Sequence, residues 1–361
     1  MLQQIIDRYK RLRTDNFLRQ TCSHQYAFVG MGQHSLTNLY PVLHYLGVPL
    51  KYICVTNEDK ARLIQQKYPA VIATTSLDDI LGDPDVSAVF VAASPAAHFT
   101  LAQQVLAAGK ALFIEKPPCT NLEELSILMS QEDTQPSTLN SQPSTLVGLQ
   151  KRYAPAVQIL KKRLKKTSGE TYYTLRYCTG AYPEGDALTD LYIHPLDLAC
   201  HLFGPATVVT ARCVADSTLL LMLEHKGQGT TVNGQLELST AHTWTSARET
   251  LTVNTPRGIY RLRQTEALTY APKPATLLGI PMEKVRPTAP TVEVLFRRNN
   301  FTPTLPNNQI HTQGYYDELL TFVNLVEGRR ATNLTPLSSL IDTYTLMDAV
   351  RKASSPHLQH P

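Results

Sequence analysis

Cysteine is sparse. The six that occur (Cys22, Cys54, Cys119, Cys178, Cys200 and Cys213) are scattered, and no two stand as CxxC. That spacing argues against a disulfide frame or a zinc knot and fits reduced thiols in a cytoplasmic protein. Long apolar runs are missing: nothing approaches the roughly 18 residues that a membrane span needs. The first twenty residues, MLQQIIDRYKRLRTDNFLRQ, are charged and lack the apolar core of a secretory signal. HExxH is absent, so no metal is expected. The cationic run Lys161–Lys166 lacks interleaved aromatics and any recognition motif, so it reads as a solvated helix face and no nucleic-acid partner is expected.

Charge is also modest, at 18% of residues, against 43% hydrophobic. Such a chain can bury a core and is not disordered. At 361 residues it is long for one domain and comfortable for two. Residues 1–148 carry 11 basic and 13 acidic side chains, residues 149–361 carry 23 and 17. The second half therefore leans cationic, which suits an anionic small molecule or simply a solvated face.

Residues 1–24 read as an amphipathic helical arm (Leu2, Ile5, Ile6, Tyr9, Leu12). Short apolar strands then alternate with helices: Tyr26–Gly30, Leu50–Val55, a brief strand from Val71, Val86–Ala92, Ala111–Ile114 and Thr145–Gln150. None shows the polar/apolar alternation of a half-exposed sheet, so a parallel sheet covered on both faces is expected. Ser76 is expected to cap a helix carrying acids in its first turn. Gly109 is expected to close the helix over 96–108. Residues 131–147 contain QPSTL twice and read as a surface insertion. Beyond Gln150 the texture becomes β-rich, with runs near 171–179, 206–214, 218–225, 229–239, 248–255 and 257–263. Val232, Gly234, Leu236 and Leu238 alternate with polar neighbours, so one sheet face is wet or meets a partner. Residues 271–310, rich in proline and asparagine, read as a long excursion, and two helices, near 314–327 and 336–352, end the chain. The predicted architecture is an α/β fold in two parts. A helical arm (1–24) precedes a doubly wound Rossmann domain (25–150). A C-terminal α+β domain (151–361) follows, built on a large, mostly antiparallel, open-faced sheet.

Gly30-Met31-Gly32-Gln33-His34-Ser35 follows a strand and opens a helix. It is a GxGxxG pattern with serine in third place. The first glycine permits the tight turn, and the second lets the backbone approach a pyrophosphate at the helix N-terminus. A carboxylate is expected about 20 residues on, where it would bind the ribose hydroxyls of NAD. The chain offers Val55-Thr56-Asn57 there, with no acid until Glu58. Without that carboxylate a 2′-phosphate is tolerated, yet no arginine grips one and Lys60 is the nearest cation. NAD and NADP both stay open.

Glu115-Lys116-Pro117 after the fifth strand, with Ser94-Pro95-x-x-His98 after the fourth, resembles the glucose–fructose oxidoreductase/inositol dehydrogenase (Gfo/Idh/MocA) family. Lys151-Arg152-Tyr153-x-Pro155, Asp190-x3-His194-x2-Asp197 and Gly314-Tyr315-x-x-Glu318-Leu-x-x-Phe322 extend the resemblance from about residue 26 to the end. It implies an NAD(P)-dependent dehydrogenase or reductase acting on CH–OH groups of a sugar, sugar derivative or polyol. Lys116, Asp190 and His194 would be catalytic. Gly30, Met31, Gly32, Gln33, Ser35, Thr56, Asn57, Ser94, His98, Glu115 and Lys116 would meet the cofactor. Arg152, Tyr153 and Tyr192 would meet substrate. The chemistry suits these residue types. A near-neutral imidazole takes the hydroxyl proton, an ammonium steadies the developing alkoxide, and a carboxylate balances both. Asp190 and His194, four apart, would share one helical face. His201 and Asp197 read as structural. The resemblance further implies a homodimer or homotetramer through the C-terminal sheet. The reading from a different class is a non-catalytic sensor or scaffold that binds NAD(P) and a ligand.

Overall fold

The computed structural model describes residues 2–18, 20–134, 145–227, 230–286 and 291–354. Six strands form the first sheet: β1 (Gln25–Val29), β2 (Leu50–Cys54), β3 (Ile72–Thr74), β4 (Val86–Val91), β5 (Ala111–Glu115) and β6 (Thr145–Gly148). Their order is β3-β2-β1-β4-β5-β6, and every pairing is parallel. All five residues of β5 are buried, as a sheet covered on both faces requires. One face packs on the helices Pro95–Ala107 and Leu122–Thr134. The other packs on Glu58–Lys67 and on Tyr315–Val326. That last helix comes from the far end of the chain. Its Phe322 stands edge-on to Phe90 at 5.1 Å and to Phe113 at 5.9 Å, so packing crosses the boundary placed at residue 150.

The second sheet contains β7 (Thr171–Gly180), β8 (Ala206–Val214), β9 (Thr218–Gly227), β10 (Thr230–His242), β11 (Arg248–Thr255), β12 (Gly258–Arg263) and β13 (Ala267–Pro272). The strand Glu293–Arg297 adds an edge, giving the order Glu293–Arg297, β13, β12, β11, β7, β10, β9, β8. Only β7 and β10 pair in parallel. Leu236 and Leu238 of β10 are buried while Gln235 is exposed, so the alternation resolves as expected. The inner face is covered by helices that include Pro155–Leu164, Ile193–Phe203 and Ile341–Ser354. The outer face leaves Tyr172, Leu220 and Met222 exposed.

Several local expectations are corrected. Helix Leu122–Thr134 runs through residues 131–134, where a surface insertion was expected; residues 135–144, which hold most of the QPSTL repeat, lie outside the described residues. Ser76 does not cap: helix Asp78–Leu81 starts after Leu77, and the Ser76 amide donates to Thr74 Oγ1. The stretch after Gly32 is not a regular α-helix, because Ser35–Leu39 is π-helical before Tyr40–Tyr45 resumes. The excursion 271–310 contains a small hairpin (Thr276–Leu277 with Ile280–Pro281) and the sheet-edge strand. Lys161 is not simply solvated: its Nζ lies 3.1 Å from both His201 ring nitrogens, and desolvation lowers its pKa to about 8. Helix α1 (Leu2–Leu18) forms as expected, with Leu2, Ile5, Tyr9 and Leu12 exposed. No helix among the described residues is long and apolar enough to cross a membrane.

Candidate active site

The carboxyl ends of β1, β2, β4 and β5 open onto a cavity of about 1180 Å³, larger than typical small-ligand pockets. Gly30 leaves β1 with φ +89°, and a Cβ there would lie 2.5 Å from the Ala92 carbonyl oxygen. Only glycine fits both the sign of φ and that approach. Gly32 is different: a Cβ there meets nothing within 4 Å, so its α-carbon faces open space. The backbone is thus bare where a pyrophosphate would lie. Ser35, in the third glycine position, is buried, and its hydroxyl donates to the Gly30 carbonyl at 3.3 Å. These residues fit a dinucleotide.

Met31, Gln33, Thr56, Ser94, His98, Glu115 and Lys116 line the same cavity. Asn57 is not among the lining residues. Its side chain caps helix Glu58–Lys67 by accepting from the Lys60 amide at 3.1 Å. Glu58 accepts from Thr75 Oγ1 at 2.6 Å, while Lys60 lines the cavity. His98 is buried with its ring nitrogens 2.8 Å from the Pro117 carbonyl and 3.0 Å from that of Ala93, which ties the loops after β4 and β5 together. Glu115 is buried and pairs with His34 Nε2 at 3.2 Å.

Lys116 and His194 meet at this cavity. Lys116 Nζ donates to the Asp190 backbone carbonyl at 2.7 Å. Burial lowers its pKa against the opposing pull of Glu115 and Asp190. His194 Nδ1 is buried without a hydrogen-bond partner among the described residues. Burial, with Lys116 and Lys151 nearby, holds the imidazole well below its ordinary pKa, so it is neutral at pH 7. Asp190 departs from expectation. It ends the short helix Ala187–Asp190, and His194 belongs to the next, Ile193–Phe203, so the two share no continuous turn. Its carboxylate accepts from Tyr182 Oη at 3.1 Å.

The three residues expected to meet substrate stand elsewhere. Arg152 is buried in a two-point ion pair with Asp197 and also donates to the Leu334 carbonyl. Tyr153 Oη bonds Thr335 Oγ1 at 3.2 Å and accepts from the Leu334 amide. Tyr192 is buried edge-on to Tyr177. Asp197 is structural, as expected. The cavity instead recruits His34, Gln150, Tyr182, Trp244 and Tyr315. His34 and Tyr315 were within reach of sequence reading, since both belong to motifs already singled out, and Gln150 ends a strand read from the sequence; Trp244 carries no spacing signal.

Residues 24–141 match the family model described as "Oxidoreductase family, NAD-binding Rossmann fold". That model is the Gfo/Idh/MocA one, and the match covers the first domain of the chain. Among curated Gfo/Idh/MocA-like relatives, an inositol 2-dehydrogenase/D-chiro-inositol 3-dehydrogenase of Lacticaseibacillus casei is 30% identical over 124 residues, covering 33% of this chain and 34% of that protein. An uncharacterised oxidoreductase of Bacillus subtilis is 27% identical over 141 residues, 36% and 39% of the two chains. The chain thus spans well under two thirds of these relatives' length. A solved dehydrogenase from Chromobacterium violaceum shares the fold over 92% of this chain and 95% of its own, with TM-score 0.73 at 18% identity. A levoglucosan dehydrogenase, solved with NADH and levoglucosan, does so over 92% and 97%, with TM-score 0.72 at 16% identity.

Proposed function

We propose that the chain is an NAD(P)-dependent oxidoreductase acting on a carbinol or carbonyl carbon of a sugar, sugar derivative or polyol. The observation that carries this reading is the convergence of Lys116 and His194 on the cavity walled by Gly30–Ser35. Gly30, Gly32, Ser35 and Ser94 would hold the dinucleotide, with Thr56 and Lys60 at its ribose end. When bound, it supplies the hydride acceptor or donor.

The remaining chemistry belongs to the side chains. Oxidising a carbinol requires its hydroxyl proton to leave. His194, neutral because it is buried among cations, lines the cavity with its Nδ1 buried, which leaves Nε2 to accept a proton. Lys116 in its ammonium form stabilises the oxygen as charge develops. Its amine is fixed by the Asp190 carbonyl, and the Asp190 carboxylate is spent on Tyr182. Following nicotinamide absorbance with a panel of sugars and polyols tests the reading, and silence across the panel with both cofactors counts against it. We also propose that the open sheet face carrying Tyr172, Leu220 and Met222 meets a second copy, giving a dimer or tetramer by light scattering.

A further inference from the structure

A second cavity of about 370 Å³ adjoins the first, and Gln150, His194, Trp244 and Tyr315 line both. Its other walls are polar, with Lys151, Arg248, Gln309 and Gln313 among them. Trp244, the only tryptophan in the chain, stands at this junction with 53% of its surface exposed. Exposure alone is ordinary for a single apolar side chain. The seat beneath the indole is not ordinary. Gly180, at the end of β7, lies against it: a Cβ there would fall 2.5 Å from Cδ1 and 2.8 Å from Nε1. The indole N–H donates to the Ala181 carbonyl at 3.0 Å. The turn is locked as well, since the Thr243 hydroxyl pairs with that of Ser246 at 2.7 Å and accepts from the Ser246 amide at 3.2 Å. An aromatic plane is therefore held in one orientation on the wall of the polar cavity that His194 also lines.

We infer that Trp244 is the platform on which the substrate's ring stacks, and that the substrate is a pyranose or cyclic polyol rather than an open-chain one; this rests on the hydride-transfer reading above. A six-membered polyol ring carries C–H bonds on its faces and hydroxyls around its rim. The indole takes a C–H face. The glutamines and cations take the rim, and the ring then lies against His194 with one carbinol turned toward the first cavity. An open-chain polyol has no flat apolar face and loses more rotational freedom on binding.

Because Trp244 is the sole tryptophan, indole emission reports on this position alone. The probes are D-glucose, D-mannose, D-glucuronate and myo-inositol, with sorbitol and mannitol as open-chain controls, added to wild-type protein saturated with NAD or NADP. At least one cyclic probe should change the emission saturably, and the open-chain controls should not. For a cyclic probe that turns over, Trp244→Ala should raise KM by about tenfold or more with kcat changed only a few-fold, while Trp244→Phe keeps most of the affinity. Gly180→Ala, which puts a methyl group where the indole lies, should reproduce the alanine variant's KM. The inference is overturned if no cyclic probe moves the emission, if sorbitol or mannitol serves as well, or if KM is unchanged in Trp244→Ala. Dinucleotide titration separates the two failures. Wild-type protein that binds neither cofactor sinks the functional reading itself, whereas intact binding with an unmoved KM sinks only the platform.

Discussion

Lys116 reaches Asp190 through the backbone: its ammonium donates to the Asp190 carbonyl at 2.7 Å, while the carboxylate of the same residue accepts from Tyr182. The carbonyl persists whatever side chain stands at 190. Asp190→Asn should therefore lower kcat by less than about tenfold, against the 10²–10⁴ typical of a lost acid–base group. Steady-state kinetics checks this, and a loss in the larger range would return the carboxylate to the catalytic set.

Gly32 faces open space within the cavity, so a larger side chain there meets no protein atom within 4 Å of its Cβ. Gly32→Val should fold with an unchanged melting temperature and lose measurable dinucleotide affinity by calorimetry. Gly30→Ala should behave differently. Its backbone φ of +89° and the nearby Ala92 carbonyl make it destabilising by roughly 1–3 kcal/mol, read by chemical denaturation.

Among the described residues no carboxylate lines the ribose end of the cavity, and Lys60 does. NADP should bind at least as tightly as NAD. Lys60→Glu should weaken NADP by about tenfold or more, equivalent to about 1.4 kcal/mol, and leave NAD nearly unchanged. Titration of both cofactors into both proteins decides it, and a strong wild-type preference for NAD would contradict the argument.

Glu318 is wholly buried, and among the described residues no hydrogen bond of normal geometry reaches either carboxylate oxygen. Desolvation, with the Glu115 charge nearby, raises its pKa well above the ordinary value. A folded pKa above the unfolded one means stability that is complete below the unfolded value and lost as pH rises through the folded one. Glu318→Gln cannot ionise, so its melting temperature relative to wild type should climb as pH rises above about 4.5. A difference that stays flat between pH 5 and 9 would contradict the assignment.

Much of the fold was legible because it rests on local patterns. Continuous apolar runs marked the buried parallel strands, and the helix closed by Gly109 sits where composition placed it, as Pro95–Ala107. The strand–glycine–helix start was legible for the same reason, as was the Glu115-Lys116 turn once the resemblance was in view. What escaped depends on distant pairing. Arg152 looked available until Asp197, 45 residues on, closed on it. The spacing of Asp190 and His194 suggested one face, but the chain breaks between two short helices. Trp244 joins the cavity only because β7 and β10 run side by side, which brings Gly180 level with His242. The edge strand Glu293–Arg297 was hidden in a proline-rich stretch, where composition says loop.

The central claim is that Lys116 and His194 act together on one proton beside a dinucleotide. Its most direct test is turnover of a substrate found by the absorbance screen, measured for Lys116→Ala, His194→Ala and the double variant across pH. Each single change should cost roughly 10²–10⁴ in kcat. The double variant should be only slightly worse than either, because both groups serve the same step. The wild-type rate should fall at alkaline pH below the ordinary lysine range, since burial lowers the Lys116 pKa and the ammonium is lost early; that limb should be missing in Lys116→Ala. Near-normal turnover in both single variants, with dinucleotide affinity intact, would place the chemistry elsewhere and contradict the account.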